Sequence, residues 1–154
     1  MWAACGITKS KYGNVKSKRT APSACNSQEI RVYVLLAKGV FLYSEESHTL
    51  IEIAAADIRE HIGTQKMMKS APMGLVFVAD LSRMTSPYLK NKEAQRFCAW
   101  VDTGYISQNV YLYCAAFGLG TVALSLVDRD DLHQRMQLKE HEKIVLTQVV
   151  GYLP

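Results

Sequence analysis

One long helix constrains the fold of this chain more than any other feature. The spacing of apolar residues predicts a helix over residues 92–117. Asp102, Gln108 and Asn109 interrupt its apolar character, which argues against a span through lipid. Such a helix is expected in a protein core or at a subunit interface, because its apolar residues do not form a single stripe. They are Phe97, Trp100, Val101, Tyr105, Ile106, Val110, Leu112 and Tyr113.

Five runs of β-branched, aromatic and apolar residues predict strands around this helix. A Lys-Gly turn joins the first two runs and indicates a hairpin. The third run is apolar throughout, which is typical of an inner strand. We therefore predict one α+β domain over residues 1–154, in which a mixed sheet of about five strands is flanked by helices. The runs cover residues 31–37, 40–43, 74–80, 121–127 and 143–152.

Two further helices are predicted from spacing and capping residues. Apolar residues at helical spacing indicate a helix over residues 57–70. Asp128 stands where it can cap a short helix over residues 129–136. Gly118 and Gly120 are placed to end the long helix.

Composition indicates an ordinary globular protein and excludes several kinds of site. Eighteen Lys and Arg against 14 Asp and Glu leave a formal charge of +4, with a basic cluster near the start of the sequence. This cluster fits either a solvated loop or a surface that attracts a phosphate-bearing ligand. No basic motif rich in aromatic residues supports nucleic-acid binding. The four cysteines form no CxxC pair and the four histidines have no metal-ligand spacing, so we expect no metal site.

Location is predicted from the same residues. The sequence opens with MWAACG, which lacks the basic and apolar regions of a signal peptide. Reduced, scattered cysteines are typical of the cytoplasm. We therefore expect a cytoplasmic protein that does not bind membranes.

The segment RTAPSACNSQ, residues 19–28, is the strongest local signal for function. It precedes the first strand and combines a proline, small residues and uncharged polar side chains. Small residues let a flat ring approach the backbone, and Ser23, Asn26 and Gln28 offer donors and acceptors to its heteroatoms. From physical chemistry alone, the same residues also fit a plain polar turn.

Three segments in order resemble the nitroreductase family of FMN enzymes. Residues 22–28 resemble its PSxxNxQ loop, residues 101–122 resemble its central helix with a GLGT ending, and VGY at residues 150–152 resembles its closing strand. The wording RTAPSA and APMGLVFVAD is similar to the branch that contains the azoline (thiazoline) oxidases. Together the segments extend over nearly the whole chain.

The resemblance implies a cofactor, a set of contacts and a dimer. Family members bind FMN at the interface of an intertwined homodimer, and each site draws on both chains. The loop is then expected to contact the flavin ring, and Arg19 is expected to reach either the ring or the phosphate of FMN. The strand after GLGT is expected to present its backbone to the ring. The implied contacts are Arg19, Pro22, Ser23, Ala24, Asn26, Gln28, Ala123, Leu124 and Ser125.

The sequence also departs from the family pattern. Family members bind the FMN phosphate with an Arg-x-Ser-x-Arg segment on a first helix. Residues 1–154 contain no such segment, so we expect a domain without that helix. One lost phosphate contact is expected to cost about 1.5–3 kcal/mol, or roughly ten- to hundredfold in affinity. Lys16, Lys18 and Arg19 are the candidates to compensate. Ser125 stands where the branch often has glycine, which would crowd the ring.

Three functions follow from the resemblance. The first is reduction of a nitroaromatic, quinone or flavin acceptor by NADH or NADPH through FMN. The second is dehydrogenation of an azoline-type ring on a peptide. The third is a flavin-poor binding module that keeps the fold. Cys25 and Asp102 admit more than one role: Cys25 as a redox modulator or a small filler, and Asp102 as a hydrogen-bonded structural group or a catalytic acid.

Overall fold

A computed structural model describes residues 1–65 and 70–153 of the chain. Its centre is a six-stranded sheet in which every neighbouring pair of strands is antiparallel, in the order β5-β4-β3-β6-β8-β7. This confirms the predicted α+β class, although the sheet is antiparallel and not mixed, because hairpins and long connections join its strands in opposite directions. The strands are β3 (Ile30–Leu36), β4 (Gly39–Ser44), β5 (Thr49–Ala54), β6 (Met73–Asp80), β7 (Leu119–Leu124) and β8 (Glu142–Tyr152).

The first residues form a small separate unit. A short helix, α1 (Trp2–Cys5), is followed by β1 (Ile7–Lys9), which pairs antiparallel with β2 (Lys18–Arg19). Ala4 and Cys5 of α1 are buried and pack in the same apolar cluster as the central strands. The unit therefore lies against the sheet and leads directly into the polar loop before β3.

The long helix α2 (Lys92–Ala116) confirms the most constraining sequence prediction. Asn91 caps its first turn by accepting a hydrogen bond from the amide of Ala94. The chain leaves the helix after Phe117 through Gly118, whose φ of +65° favours glycine over other residues. Because the turn is this tight, β7 begins immediately after α2 and forms an edge of the sheet.

Two apolar clusters lie on opposite faces of the sheet. One joins the sheet to α1 and α2, through residues such as Ile106 and Val110. The other lies under α3 (Arg129–Arg135) and includes Leu132 and Ile62. Asp128 caps α3 by accepting from the amide of Asp131, as the sequence predicts. In the ranges 1–65 and 70–153, no helix is both long and apolar enough to cross a membrane.

The predicted helix over residues 57–70 is wrong for the residues that the structure describes. A single 3-10 turn, Arg59–His61, takes its place, and residues 66–69 of the prediction lie outside the described residues. Ile58 and Ile62, which produced the helical spacing, are instead buried together in the second apolar cluster. Two apolar residues four positions apart can both be buried by a single turn, so their spacing does not require a longer helix.

The strand β5 was not predicted. Its residues are mostly exposed and it lies at an edge of the sheet, where a strand needs little apolar alternation. It extends the predicted hairpin into a three-stranded meander and brings the sheet from five strands to six.

Candidate flavin-binding site

The polar loop over residues 22–28 has an unusual backbone. Cys25, Asn26 and Gln28 have φ values of 52°, 50° and 53°, in the left-handed region that residues other than glycine seldom adopt. Each such residue costs roughly 1–3 kcal/mol and persists only when its surroundings hold it in place. A loop with three of them is therefore held by strong local contacts.

Side-chain hydrogen bonds supply those contacts. The Ser23 hydroxyl oxygen accepts from the amide of Gln28 at 2.9 Å. The Asn26 and Gln28 side-chain amides both donate to the carbonyl oxygen of Ser17, at 3.1 and 2.6 Å. Gln28 also donates to the Asn26 side-chain oxygen at 3.0 Å. The polar groups that suggested ring contacts thus tie the loop to the chain just before β2, and the Asn26 and Gln28 donors point into the protein.

A second set of contacts joins the loop to α2 and β3. The Asp102 carboxylate accepts from the amide of Ala24 at 2.8 Å. The Ser27 hydroxyl lies 2.8 Å from the Ala24 carbonyl oxygen and 2.7 Å from the Glu29 carboxylate. Asp102 and Glu29 are both buried, at 4% and 0% exposure. Of the two roles predicted for Asp102, the structure shows the hydrogen bond that the structural role requires.

Arg19 lies beneath the same loop with its side chain buried. Its guanidinium forms an ion pair with Glu45 at 3.1 Å and donates to the Ile30 carbonyl oxygen at 3.5 Å. Its Nε is buried with no hydrogen-bond partner in the described part of the chain. Arg19 also lines a narrow gap between the loop and α2, with Ser23 and Asp102 among its walls. The Nε–H of Arg19 is therefore a buried donor without a partner within the described residues, at the base of the loop.

The second group of predicted contacts lies at the other edge of the sheet. The amide of Ala123 in β7 donates to the Tyr111 hydroxyl of α2 at 2.8 Å. Leu124 is buried in the cluster under α3, and Ser125 is exposed just after the strand. Of residues 121–125, only Val122 and Ser125 are exposed.

Within one chain, the structure does not bring the two groups together. The loop leads into β3, whereas Ala123 lies on β7, with β6 and β8 between these strands. Neighbouring strands are about 4.8 Å apart, so three steps separate the two groups by roughly 14 Å across the sheet. Of the loop residues, Pro22 and Cys25 are exposed while Ser23, Ala24 and Asn26 are half-buried.

The face of α2 that points away from the sheet is apolar and uncovered. Phe97 and Trp100 are each 63% exposed, and Leu112 is 60% exposed. Large exposed apolar side chains grouped on one face are typical of a surface that another molecule covers. We call this the outer face of α2; it comprises Phe97, Trp100, Val101, Tyr105 and Leu112.

A wide cleft of about 730 Å³ lies elsewhere, between the first turns of α2 and the start of β8. Arg96, Arg129 and Lys143 are among its basic residues, and Trp100 forms part of its wall. None of the nine residues predicted to contact the flavin lines this cleft. Its volume therefore does not identify it with the predicted site.

Three residues that shape the candidate site were not predicted: Ser17 and Glu29 contact the loop, and Tyr111 contacts β7. Ser17 and Tyr111 act through a carbonyl and a hydroxyl, and neither carries a recognisable sequence signal. Glu29 does carry one, because an acidic residue directly before a buried apolar strand is expensive unless it is paired. Together with Asp102, an acidic residue on an apolar helix, it could have been proposed as a buried acidic pair.

Comparison with known proteins assigns the chain to a family. The nitroreductase family model matches residues 1–152, so the chain belongs to the nitroreductase family. A Methanocaldococcus jannaschii protein provisionally named a nitroreductase is 24% identical over 95% of this chain and 75% of its own length. A solved structure from Ralstonia eutropha, also provisionally assigned as a nitroreductase, is 36% identical with a TM-score of 0.88, over 99% of this chain and 70% of that one.

More distant structures share the fold. The E. coli microcin synthetase McbBCD complex with truncated pro-MccB17 bound gives a TM-score of 0.81 at 17% identity, over 99% of this chain and 61% of that one. The NADPH:FMN oxidoreductase of Vibrio harveyi complexed with NAD⁺ gives a TM-score of 0.61 at 19% identity, over 86% and 54%. At these identities the likeness is one of fold.

Proposed function

We propose that this protein is an FMN-dependent oxidoreductase that takes electrons from NADH or NADPH and reduces a nitroaromatic, quinone or flavin acceptor. The observation that carries the proposal is the family match over residues 1–152, joined to a rigid PSxxNxQ loop at the start of β3. When bound, the flavin supplies the redox chemistry, and the protein supplies binding, orientation and exclusion of water.

The residues at the loop fit a flavin ring in one specific respect. The buried Arg19 Nε lacks a partner among the described residues, and a buried charged donor without one is costly. A ring carbonyl or nitrogen that enters the gap beside Ser23 would satisfy it. The exposed surfaces of Pro22 and Cys25 would pack against the ring, because they are the parts of the loop that face solvent.

The phosphate would be held by other residues. The Arg19 guanidinium already pairs with Glu45 and would have to give up that contact to bind a phosphate. Lys16 and Lys18 are exposed beside the loop and have no such partner among the described contacts. We therefore assign the ring to Arg19 and the phosphate to these two lysines.

A homodimer would complete the site. One chain separates the loop and β7 by roughly 14 Å, so a ring that contacts both is best served by the loop of one subunit and Ala123, Leu124 and Ser125 of a second copy. The outer face of α2 supplies the apolar area that such a dimer would bury. This arrangement also explains why aromatic residues point away from the core.

Titration of purified protein with FMN tests the cofactor. We expect a yellow protein whose affinity for FMN falls roughly tenfold or more in Arg19→Gln, because a charge-assisted hydrogen bond is lost. Arg135→Gln is the matched control, since Arg135 pairs with Asp131 at the surface far from the loop along α3. Protein that stays colourless in excess FMN would support the binding-module alternative and contradict the proposal.

Mass in solution tests the dimer. The wild type is expected at twice the 17.2 kDa of one chain, and Leu112→Lys at 17.2 kDa, because a charge would be buried at the interface. Tyr12→Lys changes a still more exposed hydrophobic residue outside α2, at 84% against 60% exposure, and should leave the mass unchanged. A wild type at 17.2 kDa under micromolar conditions would exclude the shared site.

The second candidate is dehydrogenation of an azoline-type ring on a peptide. It is favoured by the fold shared with a microcin synthetase complex that was solved with pro-MccB17 bound. Steady-state oxidation of NADPH with a nitroaromatic separates the two enzymes. Turnover supports the first proposal, whereas a yellow protein with no turnover of either nicotinamide supports the second.

A further inference from the structure

Two buried acidic side chains meet beneath the proposed flavin loop. Asp102 of α2 is 4% exposed and accepts the Ala24 amide at 2.8 Å. Glu29, which immediately precedes β3, is fully buried and lies within hydrogen-bonding reach of Asp102. Ser27 bridges the Ala24 carbonyl oxygen and the Glu29 carboxylate. Both acids therefore connect, directly or through one hydroxyl, to Ala24, the third residue of the PSxxNxQ motif.

Within residues 1–65 and 70–153, no Lys, Arg or His forms an ion pair with Asp102 or Glu29. The Arg19 guanidinium lines the same gap as Asp102 but is paired with Glu45. The other titratable groups that face the pair are the thiols of Cys98, one turn earlier on α2, and Cys25 in the loop. Two full negative charges in such a place would repel each other at low dielectric. One of the two carboxyls is expected to hold a proton.

The unpaired atoms support the same conclusion. Glu29 Oε1 is buried with no partner within the described residues, and a proton between the carboxyls would give it a donor. Burial raises the pKa of Asp102 to about 7, the Ala24 amide opposes that rise, and the neighbouring Glu29 adds to it. A free carboxylate and a carboxylic acid can thus coexist here at neutral pH.

We propose that Glu29 and Asp102 share one proton, and that this pair is a positioning element that holds the loop over residues 22–28 in its left-handed conformation. Three residues of the loop have positive φ, and the Ala24 amide is the backbone donor through which α2 fixes it. The effect of the pair on a flavin rests on the proposed function. The effect on the loop does not.

The sign of the pH dependence follows from the raised pKa of Asp102. The folded protein binds more protons than the unfolded chain between the usual carboxyl pKa of about 4 and the folded value of about 7. The stability of the fold therefore falls as pH rises through this window, and the full penalty is present above it. A neutral amide at either position removes the second charge and with it the penalty.

Thermal unfolding of the chain without added flavin provides the first test. From about pH 5 to about pH 8, the wild type should lose roughly 4 °C or more relative to Asp102→Asn and Glu29→Gln. The amide oxygen introduced by Asp102→Asn can still accept from Ala24, and the amide oxygen introduced by Glu29→Gln can still accept from the Ser27 hydroxyl. Glu142→Gln is the matched control, because Glu142 is also buried and also accepts one backbone amide at 2.8 Å. The melting temperature of Glu142→Gln should depend on pH as that of the wild type does. If the melting temperature of Asp102→Asn also follows the wild type, the proposed shared proton is contradicted.

Infrared spectroscopy keeps the proposal testable if both variants fail to fold. The wild type should show the carbonyl stretch of a protonated carboxyl at about pH 6, and this band should disappear as pH rises past about 8. A spectrum in which every carboxyl is ionised at about pH 6 would overturn the pair.

FMN affinity supplies the final readout. Asp102→Asn should bind FMN within a few-fold of wild type, because its amide oxygen still accepts the Ala24 amide. Asp102→Ala should bind roughly tenfold more weakly, because that contact is lost. Equal affinity in the two variants would contradict the positioning role. A wild type that binds no FMN would contradict the proposed function, while the unfolding and infrared results would still decide whether the pair exists.

Discussion

In α2, polar side chains lie on the buried face and large aromatic side chains lie on the exposed face, which reverses the usual distribution. The face against the sheet carries Asp102, Thr103 and Ser107 among aliphatic residues and a cysteine, with no aromatic residue, and all three polar side chains are buried. The outer face carries aromatic residues that are roughly half exposed or more. In a monomeric protein the larger apolar residues normally face the core. The inner face therefore combines apolar packing with buried hydrogen bonds at Asp102 and Ser107, whereas the outer face leaves large apolar side chains uncovered within the described residues.

The largest expected effect comes from the apolar part of the inner face. Ile106→Ala should lower the free energy of unfolding by about 2–5 kcal/mol, because it leaves a cavity between α2 and the sheet. Urea denaturation measures the loss. A decrease below about 1 kcal/mol would mean that α2 packs loosely against the sheet and that its inner face contributes little to stability.

The next effect concerns the polar part of the inner face. The Ser107 hydroxyl donates to the Gln148 side-chain oxygen at 2.9 Å, and Gln148 is fully buried in β8. Ser107→Ala leaves that oxygen without its donor and should cost about 1–3 kcal/mol in unfolding experiments. Ser10→Ala, at an exposed serine, is the control and should change little. Equal values for the two variants would show that the inner polar contacts contribute no stability.

A smaller effect is expected where the two faces meet. Tyr111→Phe removes the hydroxyl that accepts the Ala123 amide, and the expected cost is about 0.5–1.5 kcal/mol. Amide hydrogen exchange at Ala123 should accelerate, because this residue lies on an edge strand and loses its partner there. Unchanged exchange at Ala123 would show that the tyrosine does not protect this edge.

The smallest effect on the isolated subunit is expected at the outer face. Leu112→Ala should change the stability of a dilute, dissociated sample by about 0.5 kcal/mol or less, because the side chain is exposed there. At high concentration the wild type should gain thermal stability by association, and the variant should gain less. A melting temperature that does not depend on concentration in either protein would contradict the role given to the outer face.

Much of the fold could be predicted from local sequence. The runs that became β3, β4, β6 and β8 are rich in residues that favour strands, and α2 has a clear capping residue and a glycine after its end. The strand β5 was missed because most of its side chains face solvent and its sequence lacks a buried run. The wrong helix after it shows that spacing alone does not separate a helix from a turn with two anchors.

The candidate site divides in the same way. The loop could be found because its motif is local, and the hydrogen-bonded role of Asp102 could be expected because an acidic residue on an apolar helix needs a partner. The inward direction of the Asn26 and Gln28 amides could not be predicted, because it depends on the Ser17 carbonyl some ten residues earlier. The assignment of the ring to these loop residues stays a prediction.

The cysteine in the loop has a practical consequence. Cys25 is exposed, whereas Cys5 and Cys114 are buried and Cys98 is partly so. A bulky thiol reagent should therefore modify one position first. If association shields that position, the fraction of chains left unmodified at each dilution would count the assembled sites directly, without any colour or turnover.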